Sequence, residues 1–377
     1  MASTSGTVST YPYDQRKVIE HSFRRAGRTP ESATAEELEI AQDLLYTTLA
    51  EWTAAGFPLW TRQFALLGGQ IGSTDMTCPA GTAAVISSYW RQFNPYRGPA
   101  TLSSGASGAN LFAGAVVADT TIVGAGPSVT VGFGTATEVD TVGILPGGSA
   151  TVIAAVQLQT SPDGSTWTTV AALPSTTFAP GQWAYFDLTP ALFPTFLRLL
   201  WPSAITSLTL NQLQLGLANG TETTVGPLNI DQYWSLPNKY MQGNRVTSTF
   251  VDRQVSVPVL KIWPVMNAEA FFGGTVSVLT KRYIQDPGTL VNNVEVPQRG
   301  LEALQWSLAA ALIDELPESK TSGGDTGGQM AYFALMAKNQ KLQRIDQKKA
   351  AALALFWAEE RAAGPIQLTT NFSCYTK

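Results

Sequence analysis

Charge, histidine and cysteine are all scarce in this sequence, and each shortage closes off a class of function. Only 14% of the 377 residues are Asp, Glu, Lys or Arg, and the formal net charge is −4 at pH 7. A protein that grips nucleic acid over its whole surface is basic, so only a local patch could play that part here. The single histidine, His21, and the two cysteines, Cys78 and Cys374, are isolated and lack the spacing of zinc ligands. His21 falls in a helical stretch beside Glu20, where a surface or structural role stands against a chemical one. Two distant cysteines establish no disulfide framework, which is compatible with assembly in a reducing cytoplasm. No apolar run approaches the ~18 residues of a membrane-spanning helix. The opening "MASTSGTVSTYP" lacks the apolar centre of a signal peptide, so a soluble chain not exported by the standard route is expected.

Catalytic signatures are also missing. GxSxG, the Walker A phosphate loop and HExxH do not occur. The carboxylate pairs Glu36-Glu37 and Glu359-Glu360 sit on predicted helix surfaces, where solvated charge is a plainer reading than a glycosidase pair. The expectation is therefore no catalytic residue, no metal ligand, no cofactor and no enzyme.

Glycine (33) and proline (22) are plentiful, which with low charge suits short strands, many turns and surfaces buried in an assembly. The chain opens as helix. "YDQRKVIEHSFRRAG" places Ile19, Phe23 and Ala26 on one face and stops at Gly27. "ATAEELEIAQDLLYTTLAEWTAAGFPLW" starts with a Thr34/Glu37 capping box and carries the stripe Leu38, Ala41, Leu45, Leu49, Trp52. The two form an antiparallel helical hairpin, followed by a strand in "TRQFALLGG".

The composition changes between about residues 98 and 228, where one basic residue, Arg198, faces six acids. Seven short strands recur there: "PSVTVGFG", "VDTVGILPG", "ATVIAAVQLQTS", "WTTVAAL", "QWAYFDL", "TFLRLLW" and "LTLNQLQLG". Turn residues such as Pro162-Asp163-Gly164 separate them, and the spacing predicts an inserted antiparallel β-sandwich. In "VQLQTSPDGSTWTTV" the alternation places Val156, Leu158, Trp167 and Val170 toward the core. Asp163 and Trp167 are the sandwich's candidate contacts for glycan or protein, against the plainer reading of Trp167 as core or rim.

Beyond the sandwich, "RQVSVPVLKIWPV" and "GTVSVLTKRYIQD" read as two strands. "VPQRGLEALQWSLAAALIDELPE" reads as a helix with Leu301, Leu304, Leu308 and Leu312 on one face. "SKTSGGDTGG" has linker composition, and a last long helix spans about 330–363. On its wheel Lys338, Lys341, Arg344, Lys348 and Lys349 share an arc of about 140°. Tyr332, Leu335, Met336, Leu342, Leu353 and Trp357 lie on the other side. The arc is either a solvated face or a surface for an acidic partner, protein or phosphate.

Two resemblances attach to these pieces. "VQLQTSPDGSTWTTV", "GQWAYFDLTPALFPTFLRLLW" and "LTLNQLQLG" resemble, in order, the discoidin-like (F5/8 type C, galactose-binding-like) jelly roll over roughly 110 residues. Gln212 stands where that family's closing strand usually has an acid. The flanks resemble the head-to-tail adaptor family of tailed phages, which includes packaged-DNA stabilisation and tail accessory proteins. The matching parts are "YDQRKVIEHSFRRAGRTPESATAEELEIAQDLLYTTLAEWTAAGFPLW", "DQYWSLPNKYMQGNRVTSTFVDRQVSVPVLKIWPV" and, after a strand, "DPGTLVNNVEVPQRGLEALQWSLAAALIDEL". Gly300 occupies the place of an aromatic in that second motif.

The resemblance implies an α+β multidomain protein: a helical-bundle adaptor domain with a small β-hairpin, interrupted by the sandwich. Its boundaries are 1–97 and 229–329 for the adaptor parts, 98–228 for the sandwich, and 330–377 for the basic helix and extended tail. It implies a virion neck protein that is not an enzyme, forming a ring of twelve copies below the portal, extending the DNA channel, retaining packaged DNA and giving the tail its platform. Its implied partners are the portal, its own copies, the tail nozzle or tube, passing double-stranded DNA, and spikes, fibres or capsid through the sandwich. Portal docking falls to Lys338, Lys341, Arg344, Lys348, Lys349, Ile366, Leu368, Phe372 and Tyr375. The alternative is a carbohydrate- or receptor-binding tail protein.

Overall fold

The structure, a computed structural model, describes residues 13–362 except 56–58, 105–107, 116, 149–151, 178, 203–204, 255–256, 286–287 and 317–328. The chain divides into two compact units, residues 1–61 with 283–377, and residues 62–282.

The first unit is helical and is built from both flanks of the chain. Helix α1 (Gln15–Arg25) is capped by Asp14, whose side chain accepts from Lys17 N–H at 2.8 Å, and the chain leaves it through Gly27 at φ +73°. Helix α2 (Ala35–Ala55) opens with the expected reciprocal box: Thr34 N–H donates to Glu37 at 2.9 Å, and Glu37 N–H to Thr34 Oγ1 at 3.2 Å. A later helix, Gln298–Glu315, and the long helix Gln329–Ala362 complete the unit. Ile19, Phe23, Ala41, Leu45, Leu49, Trp52, Leu301, Leu304, Leu308 and Leu312 meet in one core with Ile345 and Phe356. Each large side chain buried there contributes about 1.5–3 kcal/mol of transfer free energy.

The second unit is made of strands. One sheet runs, in spatial order, Arg62–Leu67, Gly274–Arg282, Thr82–Pro95, Ser207–Thr224, Val139–Pro146 and Ala184–Leu192, with Thr120–Val123 paired to the start of Ser207–Thr224. A second sheet runs Thr168–Leu173, Val156–Ser161, Phe196–Leu200, Ser128–Gly132 and Ala100–Leu102. Every pairing in both is antiparallel. Val129, Val131, Val142, Ile144, Leu158, Leu197, Leu199, Leu213 and Leu215 fill the space between the sheets around a fully buried Trp201. Alternation explains the pattern: Leu197 and Leu199 point inward while Arg198 points out. The fold is thus a β-sandwich within a mixed α+β chain.

The buried sandwich core is drawn from residues 100 to 215, inside the segment whose composition is distinct, with Tyr96 packed against it from just outside. Its first sheet nevertheless continues past that segment. The 18-residue strand Ser207–Thr224 pairs with Val139–Pro146 along its first part and with Thr82–Pro95 along its second. A third sheet, Gly226–Pro227, Ser248–Asp252, Val259–Trp263 and Asp75–Thr77, packs on this extension through Met76, Trp90, Leu260, Ile262, Val276 and Val278.

The hairpin at Val156 departs from simple alternation. Val156 and Leu158 are buried as expected, but Val170 is 42% exposed. The register shifts between Thr169 and Ala171, so Val170 is the extra residue of a bulge and turns outward.

Candidate functional site

Two surfaces carry the candidate residues. On the sandwich, Asp163 closes the turn after Val156–Ser161. Its carboxylate accepts from Ser161 Oγ (2.8 Å), Ser165 N–H (2.9 Å), Ser165 Oγ (2.6 Å) and Thr166 N–H (2.9 Å). The Ser165 hydroxyl, then the Thr166 and Ser165 backbone N–H groups, hold this carboxyl well below the usual range. Those bonds make Asp163 a turn former whose acceptor capacity is spent within the loop.

Trp167 is half-buried on the outer face of the five-stranded sheet. The Arg198 guanidinium lies 4.3 Å from its ring centroid and donates through Nε to Gln159 Oε1 at 2.8 Å. Gln159 Nε2 donates onward to Thr169 Oγ1 at 3.1 Å. The register sets Thr169, Gln159, Arg198, Thr130 and Thr101 abreast on successive strands, a polar row crossing the sheet. One face of the indole is therefore already covered by a cation, an arrangement that stiffens the sheet surface.

Gln212, where the resemblance expects an acid, is almost fully buried. Its Nε2 donates to the Asn110 carbonyl at 2.8 Å and its Oε1 accepts from Gly114 N–H at 3.0 Å. The neutral amide pins both ends of the 110–114 loop by itself. An acid at this position would face the Asn110 carbonyl without a donor.

The second surface is the long helix. Its buried stripe consists of Ile345 and Phe356, flanked by the half-buried Leu342, Leu353 and Trp357. Ile345 and Phe356 fall inside the arc read as basic, so that arc is divided: Lys338 and Lys349 are half-buried, while Lys341, Arg344 and Lys348 are exposed. Met336, expected on the apolar side, is 44% exposed. The divided arc has a packing cause: Phe356 stacks at 5.4 Å on Trp52, anchoring that side of the helix to the core. Lys341 also has an internal neighbour, since its Nζ would lie 2.5 Å from a Cβ added to Gly27, beside the carboxyl end of α1. Lys349 borders a cleft with Glu51, Asp314, Glu315 and Asp346. Arg344 and Lys348 are the arc's outward cations. The side chains of Tyr332 and Leu335, and all of Ile366, Leu368, Phe372 and Tyr375, lie outside the described residues.

Elsewhere, burial pushes the Cys78 thiol up to about 11, far from the range of a thiolate nucleophile. His21 stacks on Tyr13 with centroids 5.9 Å apart. Among the described residues no cluster of His, Cys, Asp and Glu could hold a metal ion, and no helix is long and apolar enough to cross a membrane.

No protein-family model and no curated protein matches the chain. Solved structures similar to part of it include CpGH89CBM32-5 from Clostridium perfringens in complex with GalNAc-β-1,3-galactose, at 14% identity. That likeness covers 31% of this chain and 93% of the other, with a TM-score of 0.26. Chitosan-binding module 1 from a Paenibacillus chitosanase/glucanase is 18% identical, covering 33% of this chain and 96% of the other, with a TM-score of 0.25. The F5/8 type C domain of a Bacteroides fragilis protein is 11% identical, covering 33% and 95%, with a TM-score of 0.27. The sandwich described above stands on its own strand pairing and core.

Proposed function

We propose that this protein is a head-to-tail adaptor: a structural subunit that sits below the portal of a tailed phage and gives the tail its platform. The observation that carries the reading is the closure of the two flanks on each other. Two of the segments that resemble the adaptor family are separated by the whole β unit, yet their helices α1, α2 and Gln298–Glu315 share one core, while the third, residues 231–265, lies within the β unit. A chain that interrupts a helical unit with strands, and still completes that unit, keeps the helical part as a scaffold of its own. The exposed cations Arg344 and Lys348 fit an acidic face on the portal, and low overall charge fits subunits that bury much of their surface against copies of themselves. The sandwich then decorates the neck.

The test is to mix the purified chain with purified portal protein and image the product by cryo-electron microscopy. A closed ring of this chain on the portal supports the reading; a chain that stays free of portal at micromolar concentration rejects it. A carbohydrate- or receptor-binding tail protein is the second reading, favoured by Phe193, which stands 66% exposed between two sandwich strands. Saturable glycan binding lost on Phe193→Ala would select it.

A further inference from the structure

The β unit holds a groove of about 670 Å³ that none of the surfaces above uses. It opens where the long strand Ser207–Thr224 crosses into Gly226–Pro227, and Val85, Ile86, Val225, Ile230, Phe250 and Val251 make its lining mainly apolar, with the oppositely charged Asp252 and Arg253 also on its wall. Both walls are strand edges. On one, Leu228 N–H donates to the Thr249 carbonyl at 2.7 Å, and beyond Thr249 no described strand continues along that side of Ser248–Asp252. Peptides along a strand face alternate edges, so the next group presented to the groove is that of Val251. On the other wall, Val225 N–H donates to the Ser88 carbonyl at 3.1 Å, and from Ser88 back to Val85 no described strand lies on that side. An apolar trough between two open edges is suited to an added strand.

The sequence offers a fitting occupant. From Ile366 the chain reads I-Q-L-T-T-N-F-S-C-Y, placing Ile366, Leu368, Thr370, Phe372 and Cys374 on one face and Gln367, Thr369, Asn371, Ser373 and Tyr375 on the other. This period of two is that of a half-buried strand, and the stretch from Ile366 to Thr376 contains no charge that the groove would have to neutralise. The four residues Val85–Ser88 span about 13 Å at ~3.3 Å per residue, so Leu368–Phe372 is long enough to fill the trough. We infer that the groove receives residues 366–375 of a second copy of this chain, added as a strand between the Val251 and Val85–Ser88 edges. The inference is independent of the adaptor reading: it predicts self-association whether or not a portal exists.

Hydrogen–deuterium exchange on the full chain tests it, together with a variant ending at Gly364 and the substitution Phe372→Asp. At high concentration, exchange over 249–253 is expected to be at least about tenfold slower in the full chain than in either variant, and the difference disappears on dilution. A synthetic peptide of residues 366–375 restores protection to the shortened chain, which guards against an effect of altered folding. Equal exchange in all three proteins at every concentration overturns the inference. So does protection that persists unchanged on dilution, because the strand would then come from the same copy.

Discussion

Phe356 fills the space that Gly300 leaves open. A Cβ on Gly300 would stand 3.0 Å from two ring atoms of Phe356 and 2.9 Å from Val296 Cγ1. Gly300 is thus packed by an aromatic from the long helix. Gly300→Trp should overpack this site and cost about 3 kcal/mol, and Phe356→Ala alone about 3–5 kcal/mol. The double variant should recover at least about 1 kcal/mol relative to the sum, since the two changes share one space. Urea unfolding of the four proteins measures the coupling; strict additivity would refute the exchange of one ring for the other.

Much of this architecture is legible in the sequence because its signals are local. The Thr34/Glu37 box, Gly27 and the stripes of the first two helices follow from neighbours three or four residues apart. The seven sandwich segments bounded by turn residues all hold strands, although "ATVIAAVQLQTS" divides into Val152–Ile153 and Val156–Ser161, and Val170 breaks the alternation of "WTTVAAL". The strand Thr82–Pro95 was not legible: Ala83, Ala84, Ser87 and Ser88 give it no apolar face, and its pairing comes from segments near 220 and 280. The buried Ile345 and Phe356 were missed for a related reason. A wheel ranks faces by composition, whereas the core selected the face that meets Trp52 and Gly300. Arg198, too, became part of the candidate surface only once the register set it beside Gln159 and over Trp167.

Gln212→Glu should expose the reason for an amide in that strand. The new carboxylate would lose the bond to Asn110 and place a buried negative charge against a carbonyl. A destabilisation of roughly 3 kcal/mol is expected at pH 7. Burial and the facing Asn110 carbonyl raise the pKa of the new group above its unfolded value, against the single Gly114 N–H that still donates to it, so the penalty shrinks as pH falls and the carboxyl takes up the proton it can donate to Asn110. Thermal unfolding of both proteins at pH 5 and pH 8 checks the sign: the gap in Tm must widen at pH 8.

Asp163 predicts the opposite dependence. Its folded pKa lies below its unfolded value of about 3.9, so its contribution is complete above that unfolded pKa. It is lost as pH falls below about 4 and on toward the depressed folded pKa. Asp163→Ala should therefore speed exchange of the Ser165 and Thr166 amides at pH 6, leaving the sandwich core protected. Unchanged exchange at those two amides would show that the turn holds without the carboxylate.

The long helix divides outward cations from a cation packed internally. Arg344 and Lys348 are exposed, whereas Lys349 borders Glu51, Asp314, Glu315 and Asp346. If the outward pair meets an acidic portal surface, Arg344→Glu with Lys348→Glu should weaken portal binding about tenfold or more, leave Tm within a degree or two, and flatten the salt dependence of association. Lys349→Glu should behave differently, because it places a fifth acid in that cleft. It should lower stability by about 1 kcal/mol while affecting portal binding less than the outward pair does. Binding kinetics at two ionic strengths, read beside thermal unfolding, separate the two sets. If Lys349→Glu weakened binding more than the outward pair, the proposed portal contact would have to be moved to the cleft.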